Sequence, residues 1–324
     1  MQAVVLRDHG EPEVLGIEDI PDPSPGAEDV LVEVHSTALN RADLLQRRGL
    51  YPGPPAAFEV PGMEFAGTVV ECGDRVSGVA VGDDVMGIVG GGAYAEKIVT
   101  HHRQVMTVPE SVALADAAAI PEVFITAWDA MMQGGLAPGG TALVHAGASG
   151  VGTAAIQIAN YLGASVVVTA SAGKVQRCLD LGAHLAVDYT STDYVDAVKE
   201  FTAGAGVDMV LDVVGGDYLS RNLGCLKVQG TIVQVGVMGE QMATFPLGLL
   251  LPLRATIRGT VLRARPLEEK IAVTRRFARE ILPGFDQGRL QPVIDSRYEL
   301  AAIQDAHRYM ESNANVGKIL IDMP

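Results

Sequence analysis

The chain has 324 residues and a formal net charge of −15, with 48% hydrophobic and 19% charged residues. This length exceeds what one hydrophobic core usually organises, so two domains are predicted. The acidic excess argues against non-specific nucleic-acid binding and against docking on anionic lipid, because both need a basic surface. Neither nucleic acid nor a membrane is therefore expected as a partner.

The cysteines and the first residues indicate a reducing compartment. Cys72, Cys178 and Cys225 lie far apart and match no paired metal spacing. An odd, sparse set of this kind suits an environment in which thiols stay free. Arg7 and Asp8 occur before any apolar run of the length that a signal peptide needs, so a soluble cytoplasmic protein is expected.

Residues 1 to about 120 are predicted to be rich in β-structure. Short apolar runs separated by Gly, Pro and Asp clusters predict strands at 2–6, 30–36, 66–71, 84–88 and 93–99. A short helix over 40–48 is predicted to point Leu44 and Leu45 inward. The stretch from Tyr51 to residue 55 (YPGPP) is a stiff loop, because proline cannot donate to a strand ladder.

From about residue 116 the pattern changes to alternating helices and strands. An Ala-rich helix is predicted to start at Asp116 and a second near Phe124. Strands are then predicted at 141–145, 165–169, 185–188, 207–213, 231–235 and 256–262. Helices are predicted at 150–162, 174–181, from about 193, and at 218–223. Apolar runs without polar alternation are typical of strands buried on both faces, which predicts a doubly wound α/β domain with a parallel sheet.

After residue 262 the chain is predicted to return to the β-rich domain. A long charged helix, a strand at 293–298, a helix at 300–311 and a strand at 318–321 form a tail too short to fold alone. The predicted organisation is a Rossmann-type domain at 123–262, inserted in a domain made of 1–122 and 263–324.

The strongest local pattern is a glycine-rich turn between a buried strand and a helix. Glycines remove the Cβ atoms that would block a tight turn and a close approach to a diphosphate, and the helix N-terminus favours the anion. The spacing is G-x-x-G-x-G, and the αβ alternation around it supports dinucleotide binding over glycines that serve packing alone. The residues expected to hold the diphosphate are Gly147, Ala148, Ser149, Gly150, Val151 and Gly152.

The end of the second strand of this domain favours NADPH over NADH. An NAD site places an acid there to bond the ribose 2′-OH, and no acid occurs between Ser165 and Leu179. Ser171 offers a hydrogen bond and Lys174 a positive charge to a 2′-phosphate. Two alternatives stay open: Lys174 as a solvated residue at a helix start, and Ser171 as a helix N-cap.

Five stretches resemble the zinc-free quinone oxidoreductases of the medium-chain dehydrogenase/reductase superfamily. The resemblance covers nearly the whole chain and is closest to the branch that contains the tumour-suppressor-inducible quinone oxidoreductase. The stretches are 40–51 (NRADLLQRRGLY), 118–122 (AAIPE), 145–157 (HAGASGVGTAAIQ), 211–218 (LDVVGGDY) and 291–295 (QPVID).

The resemblance implies a β-rich GroES-like catalytic domain around the Rossmann domain, with NADPH as cofactor. It implies that Tyr189 joins Ser171 and Lys174 around the 2′-phosphate, although the segment between Thr169 and Lys174 is one residue shorter than in the family. It also implies a homodimer formed through the Rossmann domain, with the run 256–262 as an edge strand that pairs across a two-fold axis.

Zinc alcohol dehydrogenases of the same superfamily carry a ligand Cys where this chain has Asn40, and Gly-His-Glu where it has Gly62-Met63-Glu64. Two ligands of a three-ligand site are thus replaced, and the cysteine cluster of the structural zinc is missing, so no metal is expected. Without a Lewis acid, the substrate must already be electrophilic. A quinone meets this requirement, and Asn40 and Tyr51 are the candidates to bind its oxygen.

Alternatives to these roles remain open. Asn40 also suits a helix cap, and Tyr51 also suits packing on the proline-rich loop. The enzyme is alternatively an enone, enal or enoyl-thioester reductase, or a non-catalytic NADPH-binding protein.

The nicotinamide half of the cofactor should lie beyond the carboxyl ends of the parallel strands. The expected cofactor-binding residues there are Asn40, Thr126, Gly215, Gly216, Gly236, Val237, Met238 and Leu262.

Overall fold

A computed structural model describes residues 1–324. The first elements in the chain are β1 (Gln2–Leu6), β2 (Leu15–Asp19), β3 (Asp29–Ala38), α1 (Arg41–Arg47), β4 (Glu64–Cys72), β5 (Asp84–Ile88), β6 (Lys97–His101), β7 (Val105–Thr107), α2 (Leu114–Ala117) and α3 (Pro121–Gln133).

The central elements are β8 (Thr141–Val144), α4 (Gly150–Tyr161), β9 (Ser165–Ala170), α5 (Val175–Asp180), β10 (Leu185–Asp188), α6 (Tyr194–Phe201), β11 (Val207–Asp212), α7 (Tyr218–Leu223), β12 (Leu226–Gln234), α8 (Leu250–Leu253) and β13 (Thr256–Gly259). The last elements are α9 (Leu267–Glu280), α10 (Pro283–Asp286), β14 (Ile294–Glu299), α11 (Ile303–Glu311) and β15 (Lys318–Asp322).

These elements form two units, which confirms the predicted fold class of a parallel α/β sheet inserted in a β-rich fold. The inserted unit is Thr126–Leu262, and the two-segment unit is Met1–Ile125 with Arg263–Pro324. No helix of either unit has the length and apolar character needed to cross a membrane.

The inserted unit is built on a six-stranded parallel sheet with the order β10-β9-β8-β11-β12-β13. Its central strands β8, β9 and β11 are mainly apolar and mostly buried, because helices cover both faces of a doubly wound sheet. The chain runs from β8 outward through β9 to β10, and then returns to β11 on the other side of β8. The strand order thus reverses between β8 and β11, and folds of this kind bind ligands at the carboxyl ends of such strands.

The two-segment unit is built on a seven-stranded sheet of mainly antiparallel strands. The order is β14-β15-β3-β4-β5-β7, and β6 also pairs with β3. The last strand, β15, runs antiparallel to β3 with Leu320 opposite Ala38. The C-terminal tail therefore completes the sheet that the first segment begins.

The Ala-rich helix predicted from Asp116 occupies Leu114–Ala117, and two other predicted elements of the first segment begin three or more residues from their predicted start. The second helix begins at Pro121 rather than near Phe124, because proline fits the first helical turn, where its missing N–H is not needed. The strand predicted at 93–99 occupies Lys97–His101. The preceding residues bond to β1 instead, through the Val4 amide and the Tyr94 carbonyl oxygen, 2.8 Å apart.

Two predicted elements of the inserted unit differ in length. The strand predicted at 231–235 extends back to Leu226. The strand predicted at 256–262 ends at Gly259, and all four of its residues are exposed. β13 lies at the end of the strand order, so its outer edge has no partner strand in the chain.

Candidate active site

The turn after β8 accepts only glycine at two positions. A Cβ atom on Gly147 would lie 2.6 Å from the Cβ of Val168, and one on Gly152 would lie 2.6 Å from the carbonyl carbon of Gly147. Both distances are shorter than side-chain carbons tolerate, so the turn folds back against β9 and the start of α4 only because these side chains are absent. Within it, Ala146 adopts a left-handed φ of 55°, which is uncommon outside glycine.

The N-terminus of α4 follows this turn directly. Ser149 is its N-cap, and the Ser149 Oγ accepts a hydrogen bond of 3.0 Å from the amide of Gly152. The amides of Gly150 and Val151 belong to the first turn, whose N–H groups have no acceptor within a helix. They carry the positive end of the helix dipole and can bind an anion. The predicted phosphate-binding residues are thus contiguous, on the turn after β8 and the first turn of α4.

Ser171, Lys174 and Tyr189 are brought together at the edge of the same sheet. Ser171 follows β9 and Tyr189 follows β10, and the Tyr189 amide donates to the carbonyl of Ala170, 3.2 Å away. Lys174 ends a short 3₁₀ turn that begins one residue after Ser171. Ser171 stands at the N-cap position of this turn, but its hydroxyl caps no amide. Its side chain therefore does not perform the capping role that the sequence left open.

One acid lies close to these three residues. Asp188, the last residue of β10, accepts hydrogen bonds from Thr190 and Ser191, which hold the pKa of its carboxyl below the usual value. Its carboxylate is thus hydrogen-bonded within its own turn. Lys174 places a positive charge at the same edge.

A buried polar network holds the glycine turn after β11. The Asp212 carboxylate accepts from the amides of Val214 and Gly215 at 2.6 and 3.0 Å, and from the Asn222 side chain at 2.9 Å. The Asn222 side-chain oxygen lies 2.8 Å from Nε2 of His145, whose other nitrogen is 3.0 Å from the Thr169 hydroxyl. His145 is fully buried and its pKa is lowered by that burial. Its ring therefore joins Asn222 to Thr169 and supports the turn.

The remaining predicted cofactor residues of the inserted unit lie near the carboxyl ends of its strands or on α3. Gly236, Val237 and Met238 follow β12, and the Met238 amide donates to the carbonyl of Val213 at 3.0 Å. The segment is thereby held beside the Gly215 turn, with Val237 and Met238 exposed. Thr126 is half-buried on α3, and Leu262 is buried after β13.

In the two-segment unit, Asn40 belongs to a buried ionic cluster. The Lys318 ammonium lies 2.8 Å from both the Glu64 carboxylate and the Asn40 side-chain oxygen, and it donates to the Leu39 carbonyl at 2.6 Å. The Asn40 side-chain N–H donates to the same Glu64 carboxylate at 2.8 Å. Lys318 and Glu64 are almost inaccessible to solvent, and Asn40 is 8% exposed.

Asn40 is also the N-cap residue of α1, which is the alternative role that its sequence position left open. Its backbone N–H donates to the Asp43 carboxylate at 2.8 Å, and the Tyr94 hydroxyl donates to the same oxygen at 3.0 Å. Burial raises the pKa of Asp43 to about 6, against the effect of these hydrogen bonds. Both polar atoms of the Asn40 side chain thus have internal partners, which suits a residue that positions its neighbours.

This cluster does not fit a zinc ion. An amide and a thioether, from Asn40 and the buried Met63, are poor replacements for the thiolate and imidazole ligands of catalytic zinc. The Lys318 ammonium already occupies the oxygens of Asn40 and Glu64, so a divalent cation would face a positive charge there. No group of three His, Cys, Asp or Glu side chains elsewhere is arranged to hold a metal.

Tyr51 is held by an arginine from the second segment. The Arg263 guanidinium lies 4.8 Å from the centre of the Tyr51 ring and donates to the Tyr51 carbonyl at 3.2 Å. Two further bonds, to the Gly90 carbonyl at 2.6 Å and the Gln46 side chain at 2.7 Å, fix the guanidinium. Burial raises the pKa of the half-buried Tyr51 hydroxyl, which therefore stays protonated as a hydrogen-bond donor.

Comparisons with known proteins match both units. The profile of the alcohol dehydrogenase GroES-like domain matches residues 26–110, and that of the zinc-binding dehydrogenase family matches 150–278. The quinone oxidoreductase-like protein 2 of Bos taurus is 34% identical over 95% of this chain and 89% of its own length. The chain belongs to the medium-chain dehydrogenase/reductase superfamily.

Solved structures of this superfamily have the same fold. The Escherichia coli quinone oxidoreductase complexed with NADPH is 29% identical, with a TM-score of 0.85 over 99% of this chain and 100% of its own. An NAD-dependent alcohol dehydrogenase is 32% identical, with a TM-score of 0.90 over 100% of each chain. The CurK enoyl reductase is 27% identical, with a TM-score of 0.88 over 100% of this chain and 99% of its own. The chain is thus an oxidoreductase with a nucleotide-binding domain.

Three residues of this oxidoreductase's cluster had no assigned role in the sequence. Lys318 and Arg263 lie in the second segment, 278 residues from Asn40 and 212 residues from Tyr51. Glu122 follows Pro121 at the start of α3, and its amide donates to the buried Glu64 carboxylate at 2.7 Å. Burial, reinforced by the Glu64 charge, raises the pKa of Glu122 to about 8. The AAIPE stretch contains Glu122, but no local pattern distinguishes it from an ordinary acid in a first helical turn.

Proposed function

We propose that this protein is a zinc-free, NADPH-dependent reductase of quinones. The inserted unit is then the NADPH-binding domain and the two-segment unit the GroES-like catalytic domain. The observation that carries the cofactor assignment is the grouping of Ser171, Lys174 and Tyr189 beside the phosphate-binding turn, with no acid at the end of β9.

The charge on Lys174 decides between the two nicotinamide cofactors. An acid at the end of β9 would repel a 2′-phosphate, so its absence permits NADPH, and a lysine makes the preference positive. A hydrogen bond to a charged group contributes about 1.5–3 kcal/mol, which corresponds to roughly a ten- to hundred-fold difference in affinity. The hydroxyls of Ser171 and Tyr189 add neutral donors to the same site.

Quinones suit the catalytic unit because they are already electrophilic. Hydrogen-bond donors then suffice to stabilise the reduced oxygen, and no metal is needed. When bound, NADPH supplies a hydride. The Tyr51 hydroxyl donates a hydrogen bond to the acceptor oxygen, which gains negative charge during the reduction. Arg263 fixes Tyr51, and Asn40 keeps Lys318 and Glu64 in place. The quinone oxidoreductase from E. coli and the bovine quinone oxidoreductase-like relative support this substrate class.

Reduction of a carbon–carbon double bond conjugated to a carbonyl is the second candidate. The CurK enoyl reductase supports it, and the same Tyr51 donor would stabilise an enolate. The third possibility is a protein that binds NADPH and turns over poorly.

We also propose a homodimer formed through the outer edge of β13. The four residues of this edge strand are exposed, and the segment before it exposes Met242 (83%), Leu247 (67%) and Leu251 (79%). Unpaired edge strands and apolar patches of this kind are normally covered. A second copy covers both at once, because a strand on a two-fold axis pairs with itself.

The experiment that tests the proposed function combines cofactor titration with turnover. Wild type should oxidise NADPH with a panel of quinones and enones, and should bind NADPH more tightly than NADH. Lys174→Ala should weaken NADPH binding by about ten- to a hundred-fold and barely affect NADH, with a smaller loss at high salt. Lys199→Ala, which removes an exposed lysine on α6, is the matched control.

Equal weakening of both cofactors by Lys174→Ala would contradict the NADPH assignment. Oxidation of NADPH with enones alone would favour the second candidate, and no oxidation with any acceptor would leave only a binding protein.

A further inference from the structure

Glu122 is placed differently from the other acids of the two-segment unit. It occupies the second position of α3, a helix of 13 residues, where the helix dipole normally favours a carboxylate. Its amide is bonded to Glu64, but its carboxyl has no hydrogen-bond or ion-pair partner within the chain and is partly exposed. A carboxyl that is desolvated and unpaired can bind and release a proton.

The surroundings of Glu122 are both acidic and basic. The nearby acids raise its pKa and the nearby cations lower it, while its own charge favours the protonated forms of Tyr51 and Lys270. The groups that act on it are Glu64 on β4, Asp43 on α1, Lys318 on β15, Arg263 after β13, Lys270 on α9 and Tyr51 after α1. Desolvation and the Glu64 charge dominate this balance, so the carboxyl is neutral at pH 7.

We propose that the Glu122 carboxyl supplies the proton that the acceptor takes up together with the hydride. This proposal rests on the proposed reductase function and names the acid of that site. NADPH loses a hydride and becomes NADP⁺, while the acceptor gains the hydride and carries a negative charge on its oxygen. The O–H bond of the Glu122 carboxyl breaks and an O–H bond forms on the acceptor, and solvent then reprotonates the carboxylate.

The other acids of the cluster are unsuited to this role. Glu64 is paired with Lys318 and fully buried. Asp43 is also fully buried and accepts from Asn40 and Tyr94. The hydroxyl of Tyr51 holds its proton more tightly than a free phenol, because burial raises its pKa. Tyr51 therefore orients the acceptor oxygen, and Glu122 is the acid whose proton is available near neutral pH.

Glu122→Gln tests the proposal, because the amide keeps the shape and removes the acid. Wild-type kcat/KM for a quinone should fall about tenfold per pH unit above about pH 8, as the neutral carboxyl is lost. The variant should be slower by about 100-fold or more at pH 7, which is the usual contribution of a general acid. Its rate should be independent of pH between 7 and 9, and NADPH affinity should be unchanged.

Two further variants separate chemistry from structure. Glu122→Asp keeps a carboxyl and should retain the decline in rate at high pH. Glu110→Gln changes an exposed acid of the same unit and should leave rate and pH profile as in wild type.

The outcomes distinguish failure of the Glu122 assignment from failure of the proposed reductase function. If wild type reduces quinones but Glu122→Gln keeps both its rate and its high-pH decline, Glu122 is not the proton donor. If wild type reduces no acceptor at any pH, the proposed function fails and this assignment fails with it.

Discussion

The buried ammonium of Lys318 provides a direct test of the cluster beside Asn40. Lys318→Met keeps the apolar stem and removes the charge. The side chain is 3% exposed and its three acceptors are Glu64, Asn40 and the Leu39 carbonyl, at 2.8, 2.8 and 2.6 Å. The substitution leaves the Glu64 carboxylate buried without its cation.

The expected cost follows from that uncompensated charge. Breaking a buried ion pair by removing one partner costs about 3–5 kcal/mol, a large part of the usual free energy of unfolding of about 5–15 kcal/mol. Adding Glu64→Gln to Lys318→Met should recover part of the stability, because a neutral amide replaces the unpaired carboxylate.

Urea denaturation at pH 8, followed by far-ultraviolet circular dichroism, measures this effect. The shift of the transition midpoint is the quantity to compare, because a two-domain chain need not unfold in one step. Lys199→Met, at an exposed lysine, is the control and should change stability by less than about 0.5 kcal/mol. A loss below about 1 kcal/mol for Lys318→Met at pH 8 would refute the assigned ion pair.

Two further predictions concern the acceptor and the assembly. Tyr51→Phe should lower quinone turnover at unchanged NADPH affinity, by the about 0.5–1.5 kcal/mol of a neutral hydrogen bond or more as charge develops; unchanged turnover in steady-state kinetics would reduce Tyr51 to packing on the proline-rich loop. Leu251→Asp should convert the proposed homodimer into a monomer, because a charge would be buried in an apolar contact; a monomeric wild type by light scattering at micromolar concentration would contradict the dimer.

The phosphate-binding turn and the parallel sheet could be predicted from the sequence because their determinants are contiguous. Gly147, Gly150 and Gly152 lie within six positions, between an apolar strand and a helix. Their spacing alone specifies a tight turn and a close backbone approach. The absence of an acid after β9 is equally local, and the alternation of apolar strands with helices predicted the doubly wound fold.

The buried ionic cluster around Asn40 depends on tertiary contacts, which the sequence alone did not predict. Asn40 and Lys318 are separated by 278 positions, and Tyr51 and Arg263 by 212. The first pair meets because β15 pairs with β3, which places the C-terminal strand beside the start of α1. The state of Glu122 likewise depends on burial next to Glu64, which comes from β4. Charge interactions and desolvation depend on distance in space and on exclusion of water, and the order of residues along the chain specifies neither until the strands have paired.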